Sequence, residues 1–146
     1  MRQLLFILLG FTTLQLTAQS PEESIRNIMK IQSDAWNTGD IDGFMKYYWN
    51  SPNLTFVSKR GVSKGWQQVY DNYKKGYPDK SAMGKLSFDK LEFDKMSGTA
   101  YIVTGSWYLE YMPGINDTQR ENVGGWFTLI FKKLKKDWLI VYDHTS

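Results

Sequence analysis

The chain has 146 residues, with 18 Lys+Arg against 15 Asp+Glu, one histidine, no cysteine and a formal net charge of +3. One domain's length and a near-balanced charge exclude an acidic tail protein or a histone-like nucleic-acid coat, while 42% hydrophobic and 23% charged residues exclude disorder. The absence of cysteine removes disulfide scaffolds, thiolate zinc sites and cysteine nucleophiles, and a lone His144 removes a histidine-rich metal cluster.

Arg2 followed by the apolar run from Leu4 to Phe11, and then the polar stretch ending Leu16-Thr17-Ala18, has the three-part layout of a secretory signal. The run is far shorter than the ~20 apolar residues a bilayer core requires. Residues 1–18 are therefore expected to be a cleaved signal and 19–146 a single domain. That domain would be secreted or periplasmic and free of the membrane after cleavage. Two Asn-x-Thr sequons, at Asn53 and Asn116, would matter only in a eukaryotic secretory route.

Ser20-Pro21-Glu22-Glu23 reads as a helix start, with Ser as N-cap, Pro at the first helical position and Glu completing a capping box. Ile25, Ile28, Met29, Ala35 and Trp36 recur at helical spacing, and Asn37-Thr38-Gly39 ends the helix. Asp40 caps a shorter second helix whose buried face is Ile41, Phe44, Met45 and Tyr48. Leu54–Val57 reads as a short strand, and Lys59-Arg60-Gly61 as a turn into a third helix carrying Trp66, Val69, Tyr70, Tyr73 and Tyr77.

Beyond Tyr77-Pro78-Asp79 the apolar period changes to 2. Leu86 and Phe88 alternate in one phase, Leu91 and Phe93 in the other, which predicts a bulge near Asp89-Lys90. Strands follow over Ala100–Met112, about Asn122–Phe131 and Trp138–His144, with Gly105 at a close-approach position and Lys135-Lys136-Asp137 as the last turn. Helices first and long antiparallel strands later, with glycine and a bulge where a sheet must bend, predict an α+β fold with helices packed into a strongly curved sheet.

This order, with Ala35-Trp36-Asn37-Thr38-Gly39-Asp40 near the start, Gly65-Trp66 at the third helix and Trp138-Leu139-Ile140-Val141-Tyr142-Asp143-His144-Thr145-Ser146 at the end, resembles the NTF2-like superfamily. The likeness is to its DUF4440 / SnoaL-like branch and, more distantly, to the association domain of calmodulin-dependent kinase II. The resemblance implies a cone in which three N-terminal helices pack in a curved mixed, mainly antiparallel sheet around a pocket, often within a homodimer. It implies no reaction, because the same cone serves isomerases, cyclases, dehydratases and assembly modules.

Aromatic residues make up 16% of the chain, 6 Trp, 9 Tyr and 8 Phe, more flat amphipathic surface than a small core needs. Trp36, Tyr48, Trp66, Tyr70, Tyr73, Trp107 and Trp126 are each placed to look into the cone and form the candidate ligand-binding set, with plain core packing as the competing use of each. Asp143 and His144 are the candidate proton-transfer pair. Strand neighbours point to opposite faces, so only one enters the pocket unless a bulge intervenes. If Trp138, Ile140 and Tyr142 face inward, so does His144; if Leu139 and Val141 do, Asp143 is the pocket residue. The alternative for His144 is a structural hydrogen bond at a strand end.

Asp40 and Asp42 could pair on a metal, but Asp40 sits where an N-cap belongs, so no metal is expected. Glu110 shares phase with Thr104, Ser106 and Tyr108 and belongs on the solvent face. Lys132, Lys133, Lys135 and Lys136 form a solvated hairpin end rather than a nucleic-acid surface. No phosphate loop or nucleotide fingerprint is present, so no cofactor is expected. The leading expectation is an exported protein, homodimeric, that binds a small apolar or aromatic molecule. The alternatives are a ketosteroid isomerase or polyketide cyclase-like enzyme using Asp143 or His144 as base with Tyr48 or Tyr70 as hydrogen-bond donor, and a non-catalytic dimeric assembly module.

Overall fold

A computed structural model describes residues 19–115 and 120–146. The expected signal segment and the sequon at Asn116 lie outside the described residues. Helix α1, Pro21–Asn37, starts at the Ser20 capping box: the Ser20 hydroxyl accepts from the Glu23 amide, and the Glu23 side chain accepts from the Ser20 amide. Its stripe of Ile25, Ile28, Met29, Gln32 and Trp36 is buried. Asp40 caps α2, Ile41–Met45, by accepting from the Gly43 amide at 2.8 Å. Helix α3, Trp66–Gly76, lays Val69 inward and leaves Lys74 and Lys75 in its last turn, where positive charge complements the helix dipole.

The strands are β1 Thr55–Ser58, β2 Gly61–Lys64, β3 Lys85–Ser97, β4 Ala100–Glu110, β5 Val123–Leu134 and β6 Asp137–Thr145, with a short 3-10 turn over Lys80–Ala82. They form one sheet in the order β2-β1-β6-β5-β4-β3, antiparallel except for the β1/β6 pair. The fold is thus α+β, three helices against a six-stranded mixed sheet, consistent with the NTF2-like cone. Strand β2 corrects the expectation of a direct turn into the third helix. Gly61 adopts φ 105, which lets the chain double back after Ser58 and add a four-residue hairpin strand before Gly65.

The change of phase in β3 is a bulge. Asp89 faces Ser106 and Glu92 faces Thr104, so three steps on β3 match two on β4, with Lys90 at φ 52. Gly105 is the close-approach site: a Cβ there would lie 2.7 Å from Phe127 and 2.8 Å from Leu91. The inner face of the sheet carries Tyr101, Val103, Leu129, Phe131 and Ile140, all buried, against Ile25, Met29, Phe44 and Met45 from the helices. Among the described residues no helix is long and apolar enough to cross a membrane.

Candidate functional site: a buried carboxyl among phenols

After α2 the chain runs beside β6: the Ile140 amide donates to Tyr47 O at 2.8 Å, the Trp49 amide to Ile140 O at 2.9 Å, and Tyr48 bridges Ile140 in parallel. The start of β6 is therefore flanked by Tyr47–Trp49 and its end by β1. That placement brings the Tyr48 side chain onto the inner face of β6.

The face presented by the end of β6 is decided by a second bulge. Ile130 pairs with Tyr142, whereas the next residue, Phe131, pairs with Ile140, so Val141 is an extra residue. Trp138 and Ile140 are buried before it, and Asp143, opposite Leu129, is buried after it. Neither of the two simple alternations holds along the whole strand. The bulge keeps Trp138 and Ile140 inside and also turns Asp143 inside, which leaves His144, opposite Thr128, exposed on the outer face.

Asp143 is 4% exposed. Its Oδ2 accepts from the Tyr48 hydroxyl at 2.7 Å, and its Oδ1 is buried with no partner among the described residues. Burial raises the carboxyl from 3.8 to about 7, against the lowering effect of the Tyr48 bond. Tyr48 and Tyr73 are both pushed well above the ordinary phenol value, first by desolvation and next by the charge of Asp143. The proton that titrates near neutrality therefore belongs to Asp143, and the phenols keep theirs. A carboxyl in this position can accept a proton, donate one, or bind a polar atom of a guest.

Rings enclose it. Phe44 lies 5.8 Å from Tyr48 and 5.3 Å from Tyr73, centroid to centroid, and Phe56 lies 5.9 Å from Tyr73. Trp36 packs on Phe44, Tyr73 and Tyr77 at 5.2, 6.1 and 4.6 Å, with its indole N–H donating to Gly84 O at 2.9 Å. Tyr73, Tyr77 and Phe56 remain only half-buried. Of the seven aromatic residues expected in the pocket, Tyr48 and Tyr73 lie by Asp143, and Trp36 joins them through Phe44 and Tyr73. Trp66 and Tyr70 stack at 4.9 Å on the flank, where Trp66 donates to Met45 O at 3.2 Å. Tyr70 donates at 2.6 Å to Asp42, an exposed carboxylate that also pairs with Lys74 at 3.3 Å, so Tyr70 is directed to the surface.

Trp107 lies on the inner face opposite Gly125, half-buried, with its indole nitrogen buried and without a partner among the described residues. Trp126 departs from the expected aim. It pairs with Ser106 on the other face of the sheet and is 56% exposed, because the alternation that puts Phe127 and Leu129 inside puts it outside. Phe44, Phe56 and Tyr77 join the site without having been in the candidate set. The signal for Tyr77 was its place four residues after Tyr73 on the same stripe, whereas Phe56 reaches the site through sheet pairing, which local spacing does not encode.

Among the described residues no group of three or more His, Asp or Glu side chains could hold a metal ion. Asp40 is occupied as a cap and Asp42 by Tyr70 and Lys74. A shallow cavity of about 410 Å³ opens elsewhere, between the start of α1 and the β5–β6 turn, lined in part by Ser24, Tyr47, Lys136 and Trp138, and it contains neither Asp143 nor its ring neighbours.

No family model and no curated protein matches the chain. Solved structures do. An NTF-2-like protein of unknown function from Shewanella oneidensis MR-1 is 35% identical, with 86% of this chain and 98% of that one covered and a TM-score of 0.78. A candidate scytalone dehydratase from Novosphingobium aromaticivorans DSM 12444 is 11% identical over 86% of this chain and 83% of that one, TM-score 0.67. A candidate calcium/calmodulin-dependent protein kinase II association domain from Xanthomonas campestris is 14% identical over 88% and 91%, TM-score 0.66. The two more distant likenesses carry the fold alone.

Proposed function

The chain belongs to the NTF2-like superfamily, and from that premise we propose that it takes a small, largely apolar or aromatic molecule into the ring-lined interior, where Asp143 makes the decisive polar contact. The observation that carries this reading is the unpartnered, buried Asp143 Oδ1 beside half-buried rings. A buried polar atom left without a partner costs about 1–3 kcal/mol, and a guest that bonds to it recovers that cost. Rings with polar edges suit a flat guest held by one or two hydrogen bonds.

Ligand-observed NMR of the folded chain against a set of aryl ketones, phenols and aryl acids tests the reading. Binders are expected, and D143N should weaken them about tenfold while the fold survives. A chain that binds none of these compounds, or a D143N variant that binds them equally well, overturns it.

A second reading, proton transfer on the bound molecule, is favoured by a specific observation: a carboxyl raised to about 7 is partly ionised and partly protonated at working pH. In that chemistry Asp143 Oδ1 takes a proton from the carbon beside a carbonyl. The C–H electron pair moves to form an enolate, the carboxyl becomes neutral, and it returns the proton to the substrate. Tyr48 holds the other carboxyl oxygen in place. Deuterium exchange into an aryl ketone, lost by about 10²–10⁴-fold in D143N, is the expected result; equal exchange in the variant excludes the enzyme and leaves the binder standing.

The residues 1–18 support export as the cellular setting of this activity. N-terminal sequencing of the mature protein is expected to begin at Gln19, and an intact Met1 in an exported fraction would contradict it.

A further inference from the structure

The cavity of about 410 Å³ between the start of α1 and the β5–β6 turn has the size of a small-molecule site and shares no residue with the Asp143 cluster. Ile28, Trp138 and Leu139 give it an apolar floor, the first two buried. Tyr47 lines it as well, fixed in place because its carbonyl accepts the Ile140 amide at 2.8 Å. Two lysines reach it from separate elements. Lys46, the C-cap of α2, holds its Nζ 5.8 Å from the centroid of the Tyr47 ring. Lys136 comes from the two-residue turn that joins Leu134 to Asp137, with Lys135 at φ 58.

Neither lysine has an ion-pair partner among the described residues. One carboxylate, Asp137, shares the lining, which leaves two positive charges against one negative. The acids of the first turn of α1 are engaged elsewhere: Glu22 pairs with Arg26 at 2.7 Å, and Glu23 accepts the Ser20 amide at 2.9 Å. The Ser24 hydroxyl donates to Ser20 O at 2.9 Å, whereas the Asn27 amide, one turn further along the helix, has no partner among the described residues and is free to donate. An apolar floor with cations and an N–H donor at its rim suits an amphipathic anion, because a neutral molecule leaves the charges unmatched and a cation is repelled. We propose that this cavity is a second ligand site, separate from the interior, for a small organic acid with an apolar body. The carboxylate meets Lys46, Lys136 and Asn27 while the hydrocarbon covers Ile28 and Leu139.

Titration of the folded chain with octanoate and with neutral octanamide, followed by two-dimensional amide NMR, tests the proposal. Octanoate should shift the amides of Ser24, Asn27, Tyr47 and Leu139 with a Kd of about 1 mM or tighter. Octanamide should bind about fivefold more weakly, the gap expected of two exposed ion pairs. The double variant K46Q/K136Q changes two exposed side chains, and thermal unfolding verifies its fold. In it octanoate should weaken to the level of octanamide, with octanamide itself unaffected. Octanoate shifts centred on Tyr48 and Tyr73, no shifts at the cavity, or an acid–amide gap that survives the double variant would each overturn the second site. Every one of those outcomes leaves the Asp143 reading standing.

Discussion

Asp143 holds its place at a cost that depends on pH. The unfolded chain ionises this carboxyl near 3.8 and the folded chain only near about 7, because burial disfavours the charged form. Between those values the folded state binds a proton that the unfolded state has released, so stability falls as pH rises through the interval. The favourable contribution is complete below 3.8 and lost above about 7, a swing of up to about 4 kcal/mol for a shift of this size. Asn in this position is nearly isosteric, still accepts from Tyr48 and never ionises. The stability of D143N relative to the wild-type chain is therefore expected to rise steadily from about pH 4 to about pH 7 and to be flat beyond, so that its margin in urea unfolding is larger at about pH 8 than at about pH 4. A difference between the two proteins that stays constant with pH would show that Asp143 does not titrate in this window. His144, one residue further on, lies on the outer face beyond the Val141 bulge.

At the level of elements, the end of α1 is hydrogen-bonded to β3 through the Asn37 side chain. Asn37 donates from Nδ2 to Leu86 O at 3.0 Å and accepts the Leu86 amide at 2.7 Å, so it stands in for a neighbouring strand along the sheet edge. Trp36 adds its bond to Gly84 O one turn of chain away. These contacts hold α1 over the inner face and so set how far Trp36 stands from Tyr73 and Tyr77. N37A leaves both Leu86 groups without partners, for an expected loss of about 2–3 kcal/mol in denaturant unfolding, with N37D recovering only the acceptor half. A loss below about 0.5 kcal/mol would mean that water replaces the side chain freely.

Asn37 also marks the boundary of what local pattern conveys. The helices, the Asp40 cap and the β3 bulge were legible because each rests on spacing or chemistry within a few residues, as when Leu86 and Phe88 fall out of phase with Leu91 and Phe93. The β6 bulge was not, since Trp138 to Tyr142 is apolar on both faces and presents no phase to break. Strand β2 was missed for a related reason: Gly61-Val62-Ser63-Lys64 is exposed at the sheet edge and lacks the apolar alternation of a half-buried strand. The site followed the same division. Asp143 and Tyr48 were named from their chemistry, but their meeting across 95 residues depends on sheet pairing that no local spacing records.

For the molecule as a whole, the outer face of the sheet raises a different question from the interior. Tyr108 on β4 and Trp126 on β5 have exposures of 44% and 56%, and half-buried Ile102, Ile130 and Tyr142 lie on the same face. An apolar, aromatic face on a regular sheet suits self-pairing about a two-fold axis, in which one patch serves both partners. We propose that the chain is a homodimer joined through this face. A stable interface of that kind buries about 800 Å² from each partner and relies on a few aromatic anchors, and Trp126 is the largest exposed apolar side chain available for that role. Light scattering coupled to size exclusion should give a dimeric mass for the wild-type chain at micromolar concentration. W126K, which puts a charge at the seam without touching the core, should shift it to a monomer. A monomeric wild-type chain, or a dimer indifferent to W126K, would reject this face as the interface. Because the Asp143 site is assembled from one chain's own helices and sheet, the W126K monomer is expected to bind the same aryl compounds with unchanged affinity. A loss of binding on monomerisation would mean instead that the partner contributes to the interior.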